Sequence, residues 1–212
     1  SVAEYVKLAN EKAMEIVSKG KLPIVVGGTG LFVDSFVQNI CFTQSETDYE
    51  LRSKLEKLPT DELYSELLEI DSKSASEIHK NNRKRVIRAI EVYYSTGKTK
   101  NDLNLESKRN PSPFETIYIG INYKNRDILY NRINNRVDLM IKNGLIEEAK
   151  KSFNNPKKTA RQAIGHKELY PYFSGEITLN QAIDNLKSAT RHYAKRQITW
   201  FKRDDRIMWF KL

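Results

Sequence analysis

Four cationic side chains, Lys195, Arg196, Lys202 and Arg203, bracket the rings of Trp200 and Phe201, with Gln197 and Thr199 between them. On a helix this composition supplies charge for phosphates, flat groups for stacking, and an amide and a hydroxyl for hydrogen bonds. A polyanion that also presents flat faces uses all three, so nucleic acid, and RNA in particular, is the partner it fits. A second basic run, from His79 to Arg88, holds Lys80, Arg83, Lys84, Arg85 and Arg88 without any acid. Arg88 shares a helix edge with Arg85 and with Lys84, at spacings of three and four. That run suits phosphates and base edges; a solvated helix face is its other reading.

Gly27-Gly28-Thr29-Gly30 follows the apolar run Leu22-Pro-Ile-Val-Val26. Glycines at the end of a buried strand let the backbone approach a phosphate, and the N-terminus of a following helix favours anions. A tight turn that needs glycine for its dihedrals is the competing explanation. It is no Walker loop, because G-x-x-x-x-G-K-[ST] occurs nowhere in the chain. Arg126, Arg132 and Arg136 lie on one predicted helix whose apolar stripe is Leu129, Ile133, Val137, Met140 and Ile141. Arg136 falls about 60° from the stripe's centre on a helical wheel, where a guanidinium could hold a phosphate in a half-enclosed site. A surface helix with snorkelling arginines has the same pattern. Asp34, Glu91, Glu115 and Glu168 pair with no nucleophile by spacing, so none is assigned an acid–base role.

The elements that must hold these groups alternate in type. Apolar spacing predicts a helix over 2–19 with Gly20 as its stop, a strand at 22–26 buried on both faces, and a helix over 31–37. Helices are then expected at 48–57, 60–70, 73–79 and 82–96, with Thr60 and Asp71 as N-caps and Gly97 as a C-terminal stop. Residues 98–113 read as a polar linker, and 114–121 as a second strand. Asn125 or Asp127 opens a helix to about Ser152, interrupted at Gly144. A loop at 154–159, a helix over 160–170, a turn through Pro171 and Gly175, a helix over 179–203 and a closing strand at 206–211 complete the chain. In that long helix Gln197 sits in a mostly apolar stripe, where an unpaired amide costs about 1–3 kcal/mol, so a backbone or base partner is expected.

The grammar is α/β with a helical interruption. A discontinuous core over 1–42 and 108–212 is expected to flank an inserted helical domain over 43–107. Two strong strands are too few for a doubly wound sheet, and the expectation is a sheet whose first part lies outside this sequence.

Composition bounds the rest. The 212 residues carry a formal net charge of +9, concentrated from His79 to Arg88 and from Lys187 to Arg206, which is the footprint of a phosphate-backbone partner. No apolar run reaches the roughly 20 residues of a membrane span, and no membrane partner is expected. Cys41 is alone and the three His are scattered; an internal disulfide is excluded, a zinc site is disfavoured, and a reducing cytoplasm is the expected compartment.

Six blocks in order resemble the tRNA dimethylallyltransferases, the isopentenyl-diphosphate:tRNA transferase family. They are Leu22-Pro-Ile-Val-Val-Gly-Gly-Thr-Gly-Leu, Arg85-Val-Ile-Arg-Ala-Ile-Glu-Val, Ser95-Thr-Gly-Lys, Arg132-Ile-Asn-Asn-Arg-Val-Asp, Ala163-Ile-Gly-His-Lys-Glu and Arg191-His-Tyr-Ala-Lys-Arg-Gln-Ile-Thr-Trp-Phe. The resemblance implies transfer of a dimethylallyl group from dimethylallyl diphosphate to N6 of the adenine 3′-adjacent to the anticodon. It implies a core like the P-loop kinases, with a three-layer parallel sheet, and an inserted helical domain on the tRNA anticodon stem-loop. It also implies Mg²⁺, whose ligands the sequence does not identify. Carried over by position, Thr29 and Arg136 are the catalytic residues, and Gly27, Gly28 and Arg136 bind diphosphate. Thr29, Lys84, Arg85, Arg88, Arg161, Gln162, Gly165, Lys195, Arg196, Gln197, Trp200, Lys202 and Arg203 touch the tRNA.

Two family features have no counterpart in these residues: the phosphate-binding loop and the Asp-Ser segment whose aspartate is the general base. Asp34-Ser35 follows the glycine turn instead of preceding it. The expectation is therefore a fragment that does not catalyse transfer alone, with a non-catalytic RNA-binding module as the alternative and a monomer as the default state. A small-molecule kinase using Gly27 to Gly30 for a nucleotide would leave both basic runs without purpose. The His166 position, commonly Tyr in the family, is left without interpretation.

Overall fold

The computed structural model describes residues 1–40, 48–107, 111–155 and 162–212. Cys41, Arg161 and most of the expected 154–159 loop lie outside these ranges. The described residues form two compact units, Ser1–Thr116 and Ile117–Leu212.

The first unit opens with α1 (Val2–Ser18), where Ser1 and Glu4 make a reciprocal capping box. A helix stop at Gly20 follows with φ +66°. α2 (Gly30–Val37) packs on α1, with Tyr5 stacked on Phe32 at 4.9 Å between centroids. Phe114 in turn meets Phe36 at 5.5 Å. Between the two helices the expected strand does not form. Residues 22–26 have no regular secondary structure and pair with no strand among the described residues, and Leu22, Ile24 and Val26 are 83%, 79% and 91% exposed. A parallel strand has no hydrogen bonds of its own; without a neighbour, apolar composition cannot make one.

The helical part meets expectation more closely. α3 (Tyr49–Lys57), α4 (Thr60–Ile70), α5 (Ser72–Glu77) and α6 (Arg83–Thr96) fall within two residues of the predicted bounds. Asp71 caps α5 by accepting from Ser74 N–H, and Gly97 ends α6 in the left-handed region. Pro59 takes the N-cap position expected of Thr60, which becomes the first helical residue. The predicted linker contains a further helix, α7 (Lys100–Ser107), tied back by Lys100 N–H donating to Asp71 at 3.2 Å. Leu55, Leu63, Leu67, Ile78, Val86, Ile87 and Ile90 meet in one buried core.

In the second unit β1 (Ile119–Asn122) is shorter than predicted. α8 (Arg126–Lys142) follows, capped by Asn125, and Gly144 at φ +97° turns the chain into α9 (Leu145–Asn154). The helix expected over 160–170 is replaced from 162 onward by successive turns, and only α10 (Tyr170–Phe173), which contains Pro171, is helical. Gly165 at φ +105° is the physical reason, since that conformation breaks a helix. α11 (Leu179–Phe201) carries a Thr178–Gln181 capping box, and β2 (Met208–Lys211) pairs parallel with β1. Val137, Leu145, Ala149, Leu169, Ala182 and Leu186 form the core under these helices.

The sheet thus has two parallel strands among the described residues, an α/β arrangement in which helices predominate. Its register pairs Ile119 with Met208 and Ile121 with Phe210. All four side chains stand on one face and are 63%, 51%, 64% and 54% exposed, respectively. On the other face Ile207 and Tyr118 are buried, and Gly120 lies under the Trp209 ring, where a Cβ would come within 2.7 Å of Cε3.

Candidate nucleic-acid interface

α6 exists because Val86, Ile87, Ala89 and Ile90 give it one apolar side facing Leu55, Leu63 and Leu67. Lys84, Arg85 and Arg88 project from the opposite side and are exposed. Lys84 and Arg85 pair with no carboxylate of the described residues. Arg88 differs, because its Nη1 lies 3.4 Å from Glu91. The Glu91 carboxyl, only 4% exposed, also accepts a two-pronged bond from Arg52 at 2.5 and 2.7 Å. This ties α3 to α6 across 39 positions, a pairing no local spacing announces. In return Glu91 holds the Arg52 guanidinium even more firmly protonated than usual.

Arg83 is the other member of the run that turns inward. Its guanidinium donates to Thr60 Oγ1 at 2.9 Å and to the carbonyls of Glu56 and Leu58 at 3.1 and 2.8 Å. Lys80 is 3.3 Å from Asp61. A run that reads as uniform charge is therefore divided between fold and surface.

At the glycine turn, Thr29 is the N-cap of α2, exposed, with its hydroxyl making no cap bond. Gly27 has no positive φ, and a Cβ there would meet only a Val33 methyl at 3.9 Å, ordinary contact. Neither dihedral nor crowding requires glycine at 27, so the close-approach reading keeps a physical basis that the turn reading lacks at that position. Gly28 stands beside it, half-buried.

The second unit carries the other basic group. α11 lies antiparallel on α8, stapled by Lys187 to Asp138 at 2.6 Å and by Arg191 to Asn134 at 2.8 Å. Arg191 also rests over Tyr130, 5.9 Å from the ring centroid. The first two cations of this charged stripe are thus spent on helix packing. Beyond them the stripe is released: Lys195, Arg196, Lys202 and Arg203 are exposed, and neither Lys195 nor Lys202 has an ion-pair partner among the described residues. Arg203 stacks on Trp200 with its guanidinium carbon 4.1 Å from the ring centre, and Arg196 stands 5.8 Å over Tyr193. These are cation–π pairs whose planar groups suit stacking. Gln197 is half-buried, but its amide finds no hydrogen-bond partner among the described residues, and it does not belong to the fully enclosed polar atoms. The expected backbone partner is not made.

Arg136 is exposed on α8 with no partner among the described residues, so the half-enclosed position expected of it is not formed by them. Arg132 lies over Tyr123 at 5.5 Å. Gln162 is exposed, whereas Gly165 is buried and donates its N–H to Glu168 at 2.9 Å. The positive φ of Gly165 accounts for that glycine without any ligand. His166 is half-buried, with Nε2 at 3.2 Å from Glu148.

No group of three or more His, Cys, Asp or Glu that could hold a metal occurs among the described residues. The expected Mg²⁺ therefore has no ligand set in them. No helix among them is long and apolar enough to cross a membrane.

Three comparisons bear on this arrangement. The family model for IPP transferase matches residues 1–204. A tRNA dimethylallyltransferase of Caldanaerobacter subterraneus subsp. tengcongensis is 47% identical over 219 residues, covering 99% of this chain and 69% of that protein. The tRNA dimethylallyltransferase of Anoxybacillus flavithermus is 45% identical over 214 residues, covering 100% and 68%. Among solved structures, the full-length tRNA isopentenylpyrophosphate transferase of Bacillus halodurans superposes with a TM-score of 0.66 at 40% identity, over 100% of this chain and 67% of that one. A eukaryotic dimethylallyltransferase acting on tRNA gives a TM-score of 0.76 at 28% identity, over 93% and 51%. With cationic faces on α6 and α11 and this breadth of similarity, the chain belongs to the IPP transferase family.

Proposed function

We propose that this chain takes part in tRNA modification, the transfer of a dimethylallyl group from its diphosphate to N6 of the adenine 3′-adjacent to the anticodon. The observation that carries the RNA half is the released part of α11, where unpaired lysines alternate with two arginine–aromatic stacks. Phosphates meet Lys195, Lys202, Lys84 and Arg85. Bases stack on the guanidinium planes, and the amide of Gln197 has hydrogen-bonding capacity to spare.

The chemistry imposes its own demands. The target adenine leaves the stack so that its amine can be reached. N6 then bonds to C1 of the prenyl chain, the C1–O bond breaks with its electron pair going to the diphosphate, and N6 loses a proton. Arg136 is assigned to the departing diphosphate, where a fixed cation stabilises the developing charge, with Gly27 and Gly28 offering backbone approach. Thr29 is assigned to the adenine. The phosphate-binding loop and the proton acceptor are not furnished by these 212 residues. Mg²⁺, when bound, would offset negative charge on the departing diphosphate.

In this reading the core is discontinuous, 1–42 and 108–212, with 43–107 inserted to hold the anticodon stem-loop. The bare faces of β1 and residues 22–26 favour a larger P-loop-kinase-like parallel sheet, because such sheets are covered on both sides. The protein works as a monomer in the cytoplasm.

The test is titration of the chain with a labelled anticodon stem-loop carrying three adenines across the modification site, against a scrambled hairpin, over a range of salt. Preference for the cognate loop with affinity falling steeply as salt rises supports the reading. Equal binding to both confines these residues to non-specific attraction, and no binding overturns the RNA assignment.

A further inference from the structure

The five cations nearest the start of α6, Lys80, Arg83, Lys84, Arg85 and Arg88, divide by what they touch, and the division locates a residue with a different duty. Arg83 is the first residue of α6, yet its guanidinium reaches the end of α3 and the start of α4. Two of its three acceptors are the Glu56 and Leu58 carbonyls at the C-terminus of α3. Carbonyls there lack helical partners and carry the negative end of the dipole, so a guanidinium is well matched to them. Leu58 also begins the two-residue passage Leu58-Pro59 between α3 and α4. One planar group therefore links three helices at a single corner.

The opposite end of the same helix pair is tied by Arg52 of α3 to Glu91 of α6. The pairs 52–91 and 58–83 place the two helices antiparallel, with an arginine pinning each end. Between the pins, Lys84, Arg85 and Arg88 stand on the outward side of α6. Asn82, the N-cap, makes no side-chain cap bond, so α6 has no cap of its own to fix where it starts.

We propose that Arg83 is a positioning residue: it anchors the first turn of α6 so that Lys84 and Arg85 meet the RNA backbone from a fixed helix, and it does not itself contact phosphate. This rests on the tRNA reading above. A lysine would replace the planar fork, which divides its donors between Thr60 and the Glu56 and Leu58 carbonyls, by a single point charge on a flexible stem.

Two readouts test it on the whole chain. In free protein, R83K should speed amide exchange at Leu58, Arg85 and Val86, whose N–H groups donate to Leu55 and Asn82 carbonyls, by at least tenfold, leaving Ala89 to Tyr93 unchanged. Unchanged exchange overturns the proposal. With the anticodon hairpin, the charge-removing R83Q should weaken binding about threefold to tenfold at an unchanged slope of log affinity against log salt. R85A should lower that slope by about 0.7–0.9, the loss of one phosphate contact. A slope change for R83Q equal to that of R85A would make Arg83 a phosphate contact and overturn the proposal. Wild-type protein that ignores the hairpin would sink the tRNA reading instead, while faster exchange in R83K would still uphold the anchor.

Discussion

The helical module from Tyr49 to Ser107 and the strand pair Ile119–Asn122 with Met208–Lys211 solve the same problem with opposite success. The module buries Leu63, Leu67 and Ile90 almost completely and ties its helices with Arg52, Arg83 and Asp71. The strand pair buries Ile207 and Tyr118 on one face and leaves Ile119, Ile121, Met208 and Phe210 in water on the other. A helix satisfies its backbone within itself and needs only one apolar side covered. A parallel sheet needs strands at its edges and layers on both faces. The same apolar content is therefore core in one region and exposed surface in the other.

The sharpest way to break this comparison is truncation on each side of it. Leu67→Ala should destabilise the helical module by about 2–5 kcal/mol, the range for a fully buried leucine. Ile121→Ala should change stability by no more than about 0.5 kcal/mol, as at other exposed positions. Urea unfolding followed by circular dichroism measures both. An Ile121→Ala cost rivalling that of Leu67→Ala would mean the sheet face is covered in solution.

Arg52→Ala sharpens the first half. It leaves Glu91 buried beside Arg88 alone, and since Arg52 is itself partly exposed the cost should be about 1–3 kcal/mol. Glu91→Gln combined with Arg52→Ala should restore part of that loss, because no buried charge then remains unpaired. A double variant less stable than Arg52→Ala would mean the ion pair is not the source.

Gly120→Ala probes the covered face of the strands. The new methyl meets Trp209 and Ile207, and the overpacking should cost about 1–3 kcal/mol with a change in tryptophan fluorescence. An unperturbed Gly120→Ala would show that Trp209 is free to move off that face.

The smallest expected effect is electrostatic. The Arg206 guanidinium beside Asp204 holds its carboxyl below the usual aspartate range. A lowered pKa in the folded chain contributes stability above the unfolded value, lost as pH falls through the folded one. For an exposed pair this is below about 0.5 kcal/mol. Asp204→Asn should flatten the acid limb below about pH 4 by that amount in a thermal melt series, and a wild-type curve identical to the variant's would dismiss the pair.

Much of the local structure was legible from the residues alone. Helix positions, the Asp71 cap, an opening at Asn125 or Asp127 (the fold takes Asn125) and the stops at Gly20 and Gly97 follow from spacing and side-chain chemistry within a few positions. The family was legible too, because six motif blocks stand in order. Three secondary-structure readings failed. Residues 22–26 have strand composition, but a strand exists only by pairing. Residues 162–169 have helix formers, but Gly165 in a left-handed conformation prevents the helix. Lys100–Ser107 has linker polarity, yet folds as a helix held by Asp71.

The sequence by itself determined where charge accumulates, which segments are amphipathic and which family the motifs resemble, since these are properties of order and spacing. Only the tertiary structure decided which cations are spent. Arg83, Lys187 and Arg191 are taken up by Thr60, Asp138 and Asn134, residues 23, 49 and 57 positions away. Lys84, Arg85, Lys195 and Lys202 remain for a partner. A charge carries the same sign everywhere in the sequence; whether a carbonyl or a carboxylate from a distant helix comes within hydrogen-bond reach depends on the fold.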